Sequence, residues 1–148
     1  MIIPQIKISV AFEPQTLKRD LVQVLNSKDC HTVLMQCFDP STINWKEEFH
    51  MLCLNRNNKV VGYYKVSEGG CSGTVVDSKV IFTTALNTGA HSIVLAHNHP
   101  SGNMKPSSAD LAITKKLKDA GNLLEIMVMD HLIISDSEYF SFADDGLM

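Results

Sequence analysis

Long basic stretches are missing from this sequence. Its 148 residues include 13 Lys and Arg against 16 Asp and Glu, a formal net charge of −3, and no run of Lys or Arg is longer than two, as at Lys115-Lys116. A broad phosphate-binding face, and with it strong direct nucleic-acid binding, is therefore not expected. Long apolar stretches are missing too. Nothing approaches the roughly 20 residues of a membrane-crossing helix, and the opening MIIPQIKISVAF has neither the basic start nor the long apolar segment of a secretory leader. The expectation is a cytoplasmic protein without a membrane partner. Cysteine is sparse, and Cys30, Cys37, Cys53 and Cys71 are too far apart for a Cys-x-x-Cys pair. They read as small buried apolar residues, which excludes a disulfide framework or a structural zinc knuckle. What remains, 45% hydrophobic and 20% charged residues, is ordinary globular composition with enough length for one domain, 1–148, around one core.

Periodicity outlines the elements. Ile6 to Phe12 alternates apolar and polar residues and predicts an amino-terminal strand. Ser27 heads SKDCHTVLMQCF, where Val33, Leu34, Cys37 and Phe38 are helix-spaced, and predicts a helix to about Phe38. EEFHMLCL (47–54) and KVVGYYKV (59–66) flank NRNN as the two arms of a hairpin. Asp77 is placed to cap a helix running to about Thr88, and Gly89 to end it. SIVLA is a short, wholly apolar run of the kind buried on both faces of a sheet, and it leads into His97. A further helix starts at Ser107 or Ser108 and ends near Gly121, and IMVM and HLIIS supply more strand. Alternating helices and strands with hairpins predict an α/β domain with a mixed central sheet flanked by helices.

The stretch HNHPSGNMKPSSAD (97–110) carries the chemistry. In extended chain His97 and His99 project to one side while Asn98 faces away. Gly102 and Pro106 help the chain double back, and Asp110 falls in the first turn of the following helix, where its carboxylate can return to the imidazoles. Two nitrogens and one oxygen are the three-protein-ligand set of a catalytic zinc site that leaves a position for water. Ser107-Ser108-Ala109-Asp110 also matches a helix capping box, which needs no metal. A turn, however, has no need of two histidines on one face at the end of a buried strand.

His97-x-His99, seven residues, Ser107, two residues and Asp110 form the full His-x-His-x7-Ser-x2-Asp pattern of the JAMM (MPN+) metalloproteases. The longer stretch AHNHPSGNMKPSSADLAITKKLKDAGNLLEIMVMDHLIIS resembles the carboxyl-terminal domain of the bacterial RadC family. The resemblance spans about 47–148 and takes in LNRNNKVVG and SGTVVDSKVIF. It leaves 1–46 as a strand and helix extension, without the helix-hairpin-helix domain that many RadC proteins carry ahead of this one. It implies a single JAMM/MPN-type domain of cytidine-deaminase-like architecture. It also implies one zinc ion on His97, His99 and Asp110, Glu47 as general acid and base, and Ser107 as hydrogen-bond donor to a developing oxyanion, an effect worth about 3 kcal/mol. Glu47 is preferred because it lies two residues before Phe49, whereas Glu48 should point to the opposite side. The implied activity is zinc-dependent hydrolysis of a peptide or isopeptide bond in a peptide or protein substrate. A module tied to DNA repair or mobile elements is the alternative. A zinc deaminase ranks last, since neither His-x-Glu nor Pro-Cys-x-x-Cys occurs.

Other residues carry weaker signals. Asp130 is a candidate to orient a ligand histidine, set against the plainer reading of a turn or hydrogen-bond residue at a strand start. His31, His50 and His91 read as surface or packing residues. Lys115, Lys116, Lys118 and Asp119 read as a solvated helix face, and Tyr139, Phe140 and Phe142 as packing for the carboxyl-terminal end.

Overall fold

The computed structural model describes residues 1–13, 20–70 and 73–148. One side of its sheet is a hairpin of β1 (Glu48–Leu54) and β2 (Val60–Glu68), antiparallel from Glu48 opposite Glu68 to Leu54 opposite Val60. The turn is held by the Asn55 side chain, which accepts from the amides of Asn57 and Lys59, while Asn58 takes a left-handed φ of 54°. Asn tolerates that conformation better than other side-chain-bearing residues. Helix α2 (Ser78–Thr88) starts on the Asp77 side chain, which accepts from the Lys79 amide, and stops at Gly89 with φ 67°. It returns the chain to β3 (Ser92–Asn98), buried along its whole length.

Helix α3 (Ser108–Leu123) is the crossover from β3 to β4 (Met127–Ile134), which runs parallel to β3, and a short β5 (Tyr139–Ser141) closes the sheet. The strand order is β2-β1-β3-β4-β5. With one parallel pair among antiparallel ones, the sheet is mixed and the domain is α/β. Side-chain alternation divides the core in two. Phe49, Met51, Ile93 and Leu95 pack with Ile81 and Phe82 of α2 and Leu117 of α3. Leu52, Leu54, Val94 and Leu132 pack on the other face with Cys30 and Leu34 of helix α1 (Ser27–Leu34).

Two expectations are corrected. Ile6–Phe12 forms no strand; residues 1–13 are exposed and outside any ladder. Alternation alone makes no strand without an edge to pair with. The start of the β2 edge is taken by the chain at 22–24, where Val60 donates to the Val22 carbonyl at 2.8 Å and Val24 to that of Asn58 at 2.9 Å. Helix α1 ends at Leu34 instead of Phe38, although Phe38 is still buried in the core. Helix α3 ends at Leu123, near Gly121 as expected; Gly121 lies where the next strand passes close, and a Cβ there would stand 2.4 Å from the Ile126 carbonyl oxygen.

Cys30 and Cys53 are buried and Cys37 partly so, and burial pushes their thiols up, Cys30 to about 12. Cys71 lies outside the described residues.

Candidate metal centre

The central strand sets the two histidines. Ile93, Leu95 and His97 face α2 and α3, and Asn98 faces the α1 side, where it donates to the carbonyls of Ile43 (2.7 Å) and Lys46 (2.8 Å) and accepts from the Glu48 amide (2.7 Å). His99, one residue past the strand, falls on the His97 side again. Gly102, with φ 73°, closes a turn by donating to the His99 carbonyl at 2.9 Å. The chain then returns to Ser107 at the head of α3.

These elements bring His97, His99 and Asp110 together, with one potential ligand atom from each lying within 4.8 Å of the others. Their arrangement leaves acceptors facing acceptors. His99 Nδ1 lies 2.5 Å from the Asn103 carbonyl oxygen, which can only accept. Nδ1 therefore carries the proton, and Nε2 of the neutral ring is a lone pair. That Nε2 lies 2.9 Å from His97 Nε2 and 3.5 Å from Asp110 Oδ2, and His97 Nε2 lies 3.2 Å from Asp110 Oδ1. Such a cluster attracts positive charge. Hydrogen bonding with Asp110 raises the pKa of His99 despite burial, while burial raises that of Asp110 but is outweighed by the two histidines, which hold its carboxyl far below the usual range. Two imidazole nitrogens and a carboxylate also fit a metal ion, whose positive charge would meet the lone pairs that converge here.

Ser107 is the cap of α3. Its Oγ accepts from the Asp110 amide at 3.1 Å, and its own amide and hydroxyl each donate to Asp110 Oδ2 at 2.7 Å. The capping box and the aspartate of the cluster are thus the same residues, and the cap turns Oδ1 toward His97.

Glu47 and Glu48 part company at the start of β1. Glu47 is half-buried just before the strand, its amide donating to Gly70 and its carbonyl accepting from Gly69. It precedes by two residues Phe49, whose ring lies parallel to that of His97 at 5.9 Å, and its charge adds to those favouring protonated His99. Glu48 is buried on the α1 side, paired with His50 Nε2 (2.9 Å), Lys65 (3.0 Å) and Lys46 (3.3 Å). Burial pushes the Glu48 carboxyl up, but these partners outweigh it and leave it below the ordinary value.

Asp130 does not orient a ligand histidine. The β3–β4 register runs Ile93 opposite Val128, then Val94 opposite Asp130, and the bulge at Met129 turns Asp130 onto the α1 face. There its carboxylate accepts from the Ser141 hydroxyl (2.6 Å) and the amides of His131 (2.7 Å) and Ala143 (3.0 Å). The residue against His97 is His131, whose Nε2 lies 2.8 Å from His97 Nδ1 and whose Nδ1 lies 2.6 Å from Thr114 Oγ. Burial drives the His131 pKa well below the ordinary value, so the ring is neutral. Sequence reading missed both residues. The available signal was the four-residue step from Asp110 to Thr114, which places both on one helix face. Among the remaining histidines, His50 is buried against Phe38, His31 stacks on Tyr139 at 4.5 Å, and His91 is exposed. Phe142 is fully buried against His131, and Tyr139 and Phe140 are half-buried.

The family model described as "RadC-like JAB domain" matches residues 24–147. A "UPF0758 protein" of Flavobacterium johnsoniae is 42% identical over 86% of the chain and 54% of its own length. Similar proteins from Symbiobacterium thermophilum (42% identity, 69% of the chain, 44% of theirs) and Porphyromonas gingivalis (43%, 70% and 46%) carry the same designation. The chain spans about half the length of the curated relatives it matches. Among the described residues no helix is long and apolar enough to cross a membrane.

Proposed function

The chain belongs to the RadC-like JAB domain family, and on that premise we propose that it is a zinc-dependent hydrolase that cleaves a peptide or isopeptide bond in a peptide or protein substrate. The observation that carries the reading is the convergence of three Lewis bases, His97 Nε2, His99 Nε2 and Asp110 Oδ1, at the mouth of a buried strand. Neighbouring hydrogen bonds already hold the proton of His99 on its far nitrogen. This donor set suits zinc over the harder magnesium or calcium. Bound there, zinc supplies Lewis acidity that makes water acidic near neutral pH.

The protein's own residues supply the rest. Glu47, on the His97 side of β1, takes a proton from the attacking water and returns it to the departing amine. Ser107 has one hydroxyl proton, resting on Asp110 Oδ2; as an oxyanion donor it rotates that proton onto the substrate, while its amide keeps Asp110 in place. Net hydrolysis adds one water across the C–N bond, giving a carboxylate and an amine.

The test is elemental analysis of protein purified without chelator, followed by peptide and isopeptide libraries with and without chelator. One zinc per chain, chelator-sensitive cleavage, and loss of cleavage but not of zinc in Glu47→Gln support the reading. Failure of the protein to take up zinc, or equal zinc affinity in His97→Ala, sinks it.

A further inference from the structure

Behind the ligand cluster the polar atoms of His131 and Thr114 join two of the three ligands through the protein interior. Thr114 Oγ lies 2.6 Å from the Asp110 carbonyl oxygen and 2.6 Å from His131 Nδ1, and His131 Nε2 lies 2.8 Å from His97 Nδ1. Thr114 is 2% exposed and His131 not at all.

The direction of each hydrogen bond follows from counting protons. A carbonyl oxygen only accepts, so the one hydroxyl proton of Thr114 lies toward Asp110. Thr114 Oγ must then accept from His131 Nδ1, and the ring, wholly buried with no carboxylate against either nitrogen, carries no second proton. His131 Nε2 is left as an acceptor, and His97 donates to it from Nδ1. His97 Nε2 is consequently a lone pair pointing at the cluster. The His131 ring is fixed as well, stacked on Phe142 at 4.7 Å with 12° between planes and against Phe49 at 5.4 Å.

We propose that His131 and Thr114 are positioning residues: through the His131 ring, the Thr114 hydroxyl locks His97 in the Nδ1–H tautomer, so that Nε2 is offered to the metal. The proposal rests on reading the cluster as a metal site. The backbone carbonyl of Asp110, a residue whose side chain is itself a ligand, thereby dictates the protonation of a second ligand on a different element. The chain His97–His131–Thr114–Asp110 ties β3, β4 and α3 into one unit that prepares the site before any ion arrives. A plainly structural role would require only that the four residues fill space, and would be indifferent to which nitrogen of His97 is protonated.

The tautomers are read directly in metal-free protein at neutral pH by long-range proton–nitrogen-15 correlation of the imidazoles, and zinc affinity by chelator competition. In the unsubstituted protein His97 and His131 should both appear as Nδ1–H. Thr114→Val keeps the shape and removes the acceptor. His131 should then shift its proton to Nε2 and donate to His97, turning His97 into its Nε2–H form and weakening zinc binding by about ten- to a hundredfold. Thr114→Ser, which keeps the hydroxyl, should restore both readouts. The proposal is overturned if Nδ1 of metal-free His97 carries no proton, or if Thr114→Val binds zinc as tightly as the unsubstituted protein. The two readings fail separately: no zinc uptake with Nδ1–H at His97 removes the metal function and leaves the tautomer lock, whereas tight zinc binding with Nε2–H does the reverse.

Discussion

Asn98 gives the sharpest test of how the ligand strand is held. Its side chain is fully buried and replaces three missing backbone partners: the carbonyls of Ile43 and Lys46 in the segment before β1, and the amide that opens β1 at Glu48. Asn98→Ala removes all three bonds at once and leaves a donor and two acceptors without partners. At about 1 kcal/mol for each bond in net terms, the expected loss is about 3 kcal/mol. For a domain of this size, that corresponds to a fall in Tm of about 10 °C. Urea titration followed by tryptophan fluorescence and circular dichroism should show a lower midpoint with an unchanged slope, since the surface exposed on unfolding is the same. Asn87→Ala on α2, whose side chain donates to the exposed Thr83 carbonyl, is the control and should stay within about 0.5 kcal/mol. An Asn98→Ala loss below about 1 kcal/mol would refute the reasoning, because it would mean that water or a shifted loop satisfies all three groups.

Glu48→Gln should cost about 1–2 kcal/mol in the same titration, because it discharges the acceptor shared by His50, Lys65 and Lys46, yet should leave cleavage intact; loss of turnover at unchanged stability would make Glu48 the proton carrier instead of Glu47. Glu68, held by Lys46 and Lys65, has its carboxyl lowered from 4.5 to about 2. Its contribution is therefore present above pH 4.5 and lost as the pH falls toward 2, so the urea midpoint of Glu68→Gln should converge on that of the unsubstituted protein across this window; parallel curves would show that these lysines do not stabilise it. Duplex DNA should bind weakly, with affinity falling steeply between about 50 and 200 mM salt in an anisotropy titration, and submicromolar salt-resistant binding would move a DNA-linked role ahead of hydrolysis.

Elements defined by local chemistry were legible in the sequence. The β1–β2 turn, the Asp77 and Gly89 ends of α2, the apolar β3 and the Ser107–Asp110 box each depend on residues within a few positions of one another. Tertiary choices were not legible. Ile6–Phe12 has the alternation of a strand, but whether it pairs depends on an edge formed much later in the chain. The roles of Asp130 and His131 depend on one extra residue in β4. Strict alternation from Val128 would put Asp130 on the α3 face, and the bulge at Met129 places His131 there instead. The cluster was found because its spacing reflects one strand, one turn and one helix end, whereas the hydrogen bonds behind it join residues 34 and 17 positions apart.

The three cluster residues sit on elements of unequal permanence. His97 belongs to the sheet's central strand, buried throughout and bonded on both sides, so its amides should exchange with solvent only when the whole domain opens. Asp110 lies in the first turn of a helix whose cap, Ser107, faces solvent. Fraying that turn breaks a few hydrogen bonds and leaves both cores untouched. An ion would therefore depart by loss of its carboxylate first, at a rate set by the helix end and independent of global unfolding, while the imidazole of His97 waits in place for its return.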